Sequence, residues 1–152
     1  MTTVRRLLQP AWEVTPPRDL GAFIRNLPHL LPEGTFLVLE GGSIAEEVQE
    51  FLRGHQPPSV PEIALDTIWP KPEVFHLAIG PETMNALSAF APTLASPEIA
   101  DHIKAYRDDQ EVLAMYDVSC HDPWLAAATV TEERLTEFCR ITGCQFRPYQ
   151  KK

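Results

Sequence analysis

Fifteen prolines run through the 152 residues of this chain, about twice ordinary usage, and they limit what it can build. Proline fixes φ and carries no N–H, so it belongs in the first turn of a helix, in a turn or on a sheet edge. Pro16-Pro17, Pro57-Pro58, Pro70 and Pro72 fall between periodic segments. There they punctuate loops and form no polyproline tract. The periodic segments between them are short, and the fold is assembled from many of them.

Residues 1–18 have little periodicity and end at Pro16-Pro17, so they read as an arm that packs Trp12 onto the domain. Asp19 caps a helix with Leu20, Phe23, Ile24 and Leu27 on one face, stopped by Pro28 and Pro32. The apolar run 35–39 fits a strand buried on both faces. Gly41-Gly42 turns the chain, and Ser43 with Glu46 makes an S-x-x-E capping box. That box opens a helix with Ile44, Val48, Phe51 and Leu52 inward and Gly54 at its end. Residues 63–69 alternate as a strand, and Pro70-Lys71-Pro72 links them to a second strand over 74–79.

Pro81 opens a helix carrying Met84, Leu87, Phe90 and Leu94. Ser96-Pro97-Glu98 opens another, with Ile99, Ile103 and Tyr106 inward. Asp108-Asp109 is a turn, 112–118 a strand and Cys120 to Pro123 a second turn. A strand over 124–130 is weakened by its three alanines. Thr131 caps the last helix, with Leu135, Phe138 and Cys139 inward, Gly143 closes it, and 145–149 adds an edge strand. The order α-β-α-β-β-α-α-β-β-α-β predicts a single α+β domain over 19–152, a mixed sheet of about five strands with helices packed against it. There is no internal repeat.

Hydrophobic residues at 44% and charged residues at 22% suit a globular chain and argue against disorder. No apolar run approaches the roughly 20 residues that cross a bilayer, and the first apolar stretch stops at Gln9-Pro10, too short for a signal peptide. Cys120, Cys139 and Cys144 cannot all pair within one chain and lack C-x-x-C spacing. Free thiols suit a reducing cytoplasm. The formal charge of −8 is uneven: residues 33–111 carry 14 acidic and 4 basic side chains, residues 1–32 come to +2 and 112–152 balance. Such a surface repels phosphate backbones, so nucleic acid is not an expected partner, whereas a basic protein is.

Four constellations bear on chemistry. The strand–Gly41-Gly42-Ser43–helix junction offers backbone N–H groups to an anion, but it has neither G-x-G-x-x-G nor a P-loop lysine. Glu40, Glu46 and Glu47 also repel phosphate there, and capping explains Ser43 and Glu46 more simply. His102 lies four residues after Glu98, helical spacing for a carboxylate-oriented imidazole, and His76 alternates with Phe75 and Leu77 in its strand and so points to the opposite sheet face from them. A partly buried histidine satisfied by its neighbour is the plainer reading.

Ser119-Cys120-His121-Asp122 gathers a nucleophile, a base and an acid, yet adjacent residues cannot close the hydrogen bonds a triad needs. Asp122-Pro123 is an ordinary turn initiator. Trp12, Trp69 and Trp124 stand beside proline-rich or turn segments, where tryptophan either covers the rim of a core or anchors a partner.

The expectation is a small acidic cytoplasmic protein-interaction module, of inhibitor or immunity type in size and charge, binding a basic protein. Glu46, Glu47, Glu50, Trp69 and Trp124 would form its surface. No cofactor, metal or membrane is expected. The alternative is a small hydrolase-type enzyme using His102, Glu98, His76, His121 and Asp122, with a concave pocket in which they converge.

Overall fold

The structure, a computed structural model, describes residues 3–67, 69, 71–118 and 120–149. One sheet holds seven strands among these residues: β1 (Ala11–Val14), β2 (Thr35–Gly41), β3 (Glu73–Ala78), β4 (His102–Arg107), β5 (Gln110–Met115), β6 (Trp124–Ala126) and β7 (Phe146–Pro148). They lie in the order β3-β2-β4-β5-β6-β1-β7, with antiparallel pairing between each neighbouring pair. Five helices join them: α1 (Leu20–Leu30), α2 (Glu46–Arg53), α3 (Pro81–Ser88), α4 (Ser96–Ile99) and α5 (Glu132–Thr142). The α+β class stands, but the sheet has seven strands instead of about five and is antiparallel where a mixed sheet is expected. No helix among the described residues is long and apolar enough to cross a membrane.

The register sorts side chains onto two faces, because neighbours in a strand alternate. Leu37 and Leu39 of β2 sit opposite Leu77 and Phe75 of β3 and opposite Ala105 and Ile103 of β4. Leu113 continues the row to Leu125. These residues share one buried cluster with Phe23, Ile24, Leu27, Met84, Leu87, Leu135 and Phe138 of the helices. Each fully buried leucine there contributes about 1.5–3 kcal/mol.

The opposite face is different. Phe36, Val38 and Glu40 register with Tyr106, Lys104 and His102, and only a small cluster of Val4, Val38 and Tyr106, backed by Ile63 and Val74, covers it. Irregular backbone serves as the cover. The Val4 N–H donates to the Glu62 carbonyl at 2.8 Å, and the Glu111 N–H donates to the Arg5 carbonyl at 2.9 Å. A register shift between Ala105 and Tyr106 lies where β5 meets this segment.

Several sequence expectations change. The supposed arm contributes β1, which lies between β6 and β7 inside the sheet. Residues 102–106 are not the continuation of a helix. The helix α4 has one turn, and β4 then pairs with β2 and β5 on both sides. The helix expected from Pro81 to Leu94 ends at Ser88, and the strand expected over 124–130 keeps three residues.

The helix α1 passes through Pro28 and ends two residues later. The helix α2 begins at Glu46, with Ala45 as its N-cap and no side-chain cap bond, so Ser43 caps nothing. The reason is local: Ile44 is buried in the core and the Ala45 N–H donates to the Glu98 carbonyl at 2.8 Å, which fixes the chain before the helix starts. Residues 63–67 form no strand, and Ile68 and Pro70 of that prediction lie outside the described residues.

Candidate functional site

Lys104 and Glu40, each about 1% exposed, face each other in the polar face of the sheet at 3.7 Å. Burying one charge there without partners is prohibitive, so each group must find several. The Lys104 ammonium donates to the Ala64 carbonyl at 2.8 Å and is ion-paired with the Asp66 and Glu40 carboxylates. Glu40 in turn accepts from the Asp66 N–H at 3.0 Å and the Thr67 N–H at 2.7 Å. These bonds fit the absence of a strand over 63–67: the Ala64 carbonyl and the Asp66 and Thr67 N–H groups bond to two buried side chains instead of a neighbouring strand.

Arg6 joins the network through Asp66 at 3.2 Å and the Tyr116 hydroxyl at 3.3 Å. Burial alone would push the Asp66 carboxyl up, but Lys104 and Arg6 outweigh it and hold the pKa below the ordinary value. Glu111 goes the other way. Its burial raises its pKa against the Leu7 N–H that it accepts.

Two residues beyond the Thr67 anchor, Trp69 is 86% exposed. A tryptophan so exposed forgoes the burial that its large apolar surface favours. Glu46, Glu47 and Glu50 are exposed along α2, whose Val48 and Leu52 are fully buried on the other side. With Glu40, Asp66, Glu111 and Lys104 taken up in the sheet face, 11 acidic and 3 basic side chains of 33–111 remain for the surface.

The residues of the enzyme alternative do not all converge: His102 and His121 both meet Asp117, whereas Glu98 and His76 are engaged elsewhere. Glu98 accepts the Ala95 N–H at 2.9 Å and makes no bond to His102, because α4 ends before the helical spacing between them can act. His102 is buried, and its Nδ1 accepts the Asp117 N–H at 3.0 Å, which holds a turn where Asp117 has φ 47°. His76 is buried with its Nδ1 2.9 Å from the Tyr106 hydroxyl. Burial lowers the His76 pKa and raises that of Tyr106 to about 12.

His121 and Asp122 do line one pocket, of about 390 Å3, with Glu13, Tyr116, Cys120 and Trp124. His121 pairs with Asp117 at 3.2 Å. Burial, then hydrogen bonding to Glu13, raises the Asp122 pKa. The Trp124 indole N–H is buried without a hydrogen-bond partner among the described residues. Ser119 of the same run lies outside the described residues. No three His, Cys, Asp or Glu among the described residues are grouped to hold a metal ion.

Sequence reading missed Glu13, Arg6 and the Glu40–Lys104–Asp66 network. A glutamate ending an apolar run and a lysine between Ile103 and Ala105 were the available signals, but their pairing is a cross-strand fact. No protein family, curated protein or solved structure matches the chain.

Proposed function

We propose that the chain is a small acidic protein-interaction module, of inhibitor or immunity type and cytoplasmic, that docks a basic protein. The observation that carries this reading is Trp69, 86% exposed just after a segment pinned to buried charges. Exposed aromatic side chains of this kind act as anchors of interfaces. The exposed carboxylates of Glu46, Glu47 and Glu50 add the charge that would steer a basic partner.

The test is capture from native lysate followed by binding kinetics with the captured protein. Trp69→Ala should raise the off-rate. The combined change Glu46→Lys, Glu47→Lys and Glu50→Lys should slow association and leave folding intact. The on-rate of the unaltered chain should fall as salt shortens the Debye length from about 10 Å at 0.1 M to about 3 Å at 1 M. Glu132→Lys, Glu133→Lys and Glu137→Lys together control for net charge. Equal slowing by both triple changes, or an on-rate indifferent to salt, would end the docking-face reading.

The hydrolase reading keeps one observation in its favour, the pocket that brings Asp122 and Glu13 together beside His121. Catalysis there would be indifferent to Trp69→Ala and to the α2 charge reversal, which separates the two readings.

A further inference from the structure

The polar sheet face carries a groove of about 790 Å3 between the β4–β5 turn and residues 59–61. Phe36 and Tyr106 line it, their rings stacked at 5.6 Å and 16°. Val60 and Pro61 line it too, together with Asp108 and Asp109. The Tyr106 hydroxyl is engaged by His76 and its side chain is buried, so the aromatic surface open to a ligand is that of Phe36.

An apolar, aromatic channel ending in carboxylates suits a ligand with a hydrocarbon stem and a cationic head. A guanidinium fits best, since it is planar, stacks on rings and forks to a carboxylate. The chain itself shows the rim taking such a head: Arg5 Nη2 lies 3.2 Å from the Asp109 carboxylate. Asp108 is exposed and has no hydrogen-bond or ion-pair partner among the described residues. It also holds φ 54° in the two-residue turn, a conformation glycine adopts without strain.

We propose that this groove takes an arginine side chain of the basic partner, with its stem along Phe36 and its guanidinium at Asp108. The inference rests on the basic-partner reading and names the residue that this partner inserts.

Agmatine, a guanidinium on a four-carbon chain, is the probe, titrated into the full chain and followed by amide NMR. The expected shifts centre on Gly34, Phe36 and Tyr106. Asp108→Gly should weaken agmatine by at least about tenfold, a loss of about 1.4 kcal/mol, while its melting temperature stays equal or rises, because glycine suits that φ. Phe36→Leu should weaken agmatine as well, and n-butylamine should bind the unaltered chain less tightly than agmatine.

Shifts confined to α2, no shifts at all, or unweakened binding by Asp108→Gly each overturn the groove. They leave the basic-partner reading to its own test, the kinetics of the Trp69 and α2 variants. Groove shifts lost in Asp108→Gly support the site even if the α2 reversal leaves partner association unchanged.

Discussion

At the scale of single residues, His76 is the group whose titration reports on the polar face of the sheet. Burial lowers its folded pKa below the ordinary 6.5, so the folded chain takes up the proton only at lower pH than the unfolded chain does. Below about pH 6.5 the unfolded state binds more protons, and stability falls as pH falls toward the folded pKa. His76→Gln keeps a side chain able to bond the Tyr106 hydroxyl but removes the titration. Urea unfolding at a series of pH values should show the slope of stability in that window reduced by up to about 1.4 kcal/mol per pH unit. Glu111, raised by burial, acts in the opposite sense, since its contribution is lost as pH rises through its folded pKa. Both chains keep Glu111, so the comparison cancels it. An unchanged slope would show that His76 titrates in the folded protein as freely as in the unfolded one.

Elements were legible where their signals are local. The helix α5 carries its own start and stop: Thr131 accepts the Arg134 N–H, and Gly143 ends the helix at φ 78°. Asp19 likewise accepts the Ala22 N–H at the head of α1. The helix α2 shows the limit of such reasoning. Ser43 and Glu46 have the spacing of a capping box, but the burial of Ile44 and the bond from Ala45 to Glu98 set the helix start. The strand β4 was hidden for a related reason. Ile99, Ile103 and Tyr106 fit a helical period, whereas the alternation of 102–106 fits a strand. Only pairing with β2 and β5, remote in sequence, decides between them. Thr131→Ala should therefore cost about 1 kcal/mol, and Ser43→Ala should stay within about 0.5 kcal/mol of the unaltered chain. Equal losses in denaturant melts would mean that Ser43 makes a bond in solution that α2 does not show.

For the whole molecule, the consequential misreading is that of residues 1–18. Their low periodicity hid β1, because four residues paired on both sides need no amphipathic pattern of their own. β1 pairs with β6 through Ala11, Trp12 and Glu13 and with β7 through Trp12, Glu13 and Val14. Val14 is fully buried, the Trp12 indole N–H donates to the Val130 carbonyl at 2.9 Å, and its ring meets Phe146 edge-on at 5.6 Å. Among the described residues β7 has no strand partner but β1. A chain beginning at residue 19 thus loses β1, leaves β7 unpaired and opens the edge of β6. Removing Val14 from the core withdraws about 1.5–3 kcal/mol, and losing the half-buried Trp12 adds to it, against a total stability of about 5–15 kcal/mol for a domain. The backbone bonds of two strand pairs go with them. Such a chain should show no cooperative thermal transition by circular dichroism. A chain beginning at residue 9 keeps β1 but loses Val4 and Arg6, and it should melt cooperatively at a lower temperature. If the chain from residue 19 melts as cooperatively as the full chain and at the same temperature, β1 is an ornament on the sheet, and the domain is as self-sufficient as its sequence suggested.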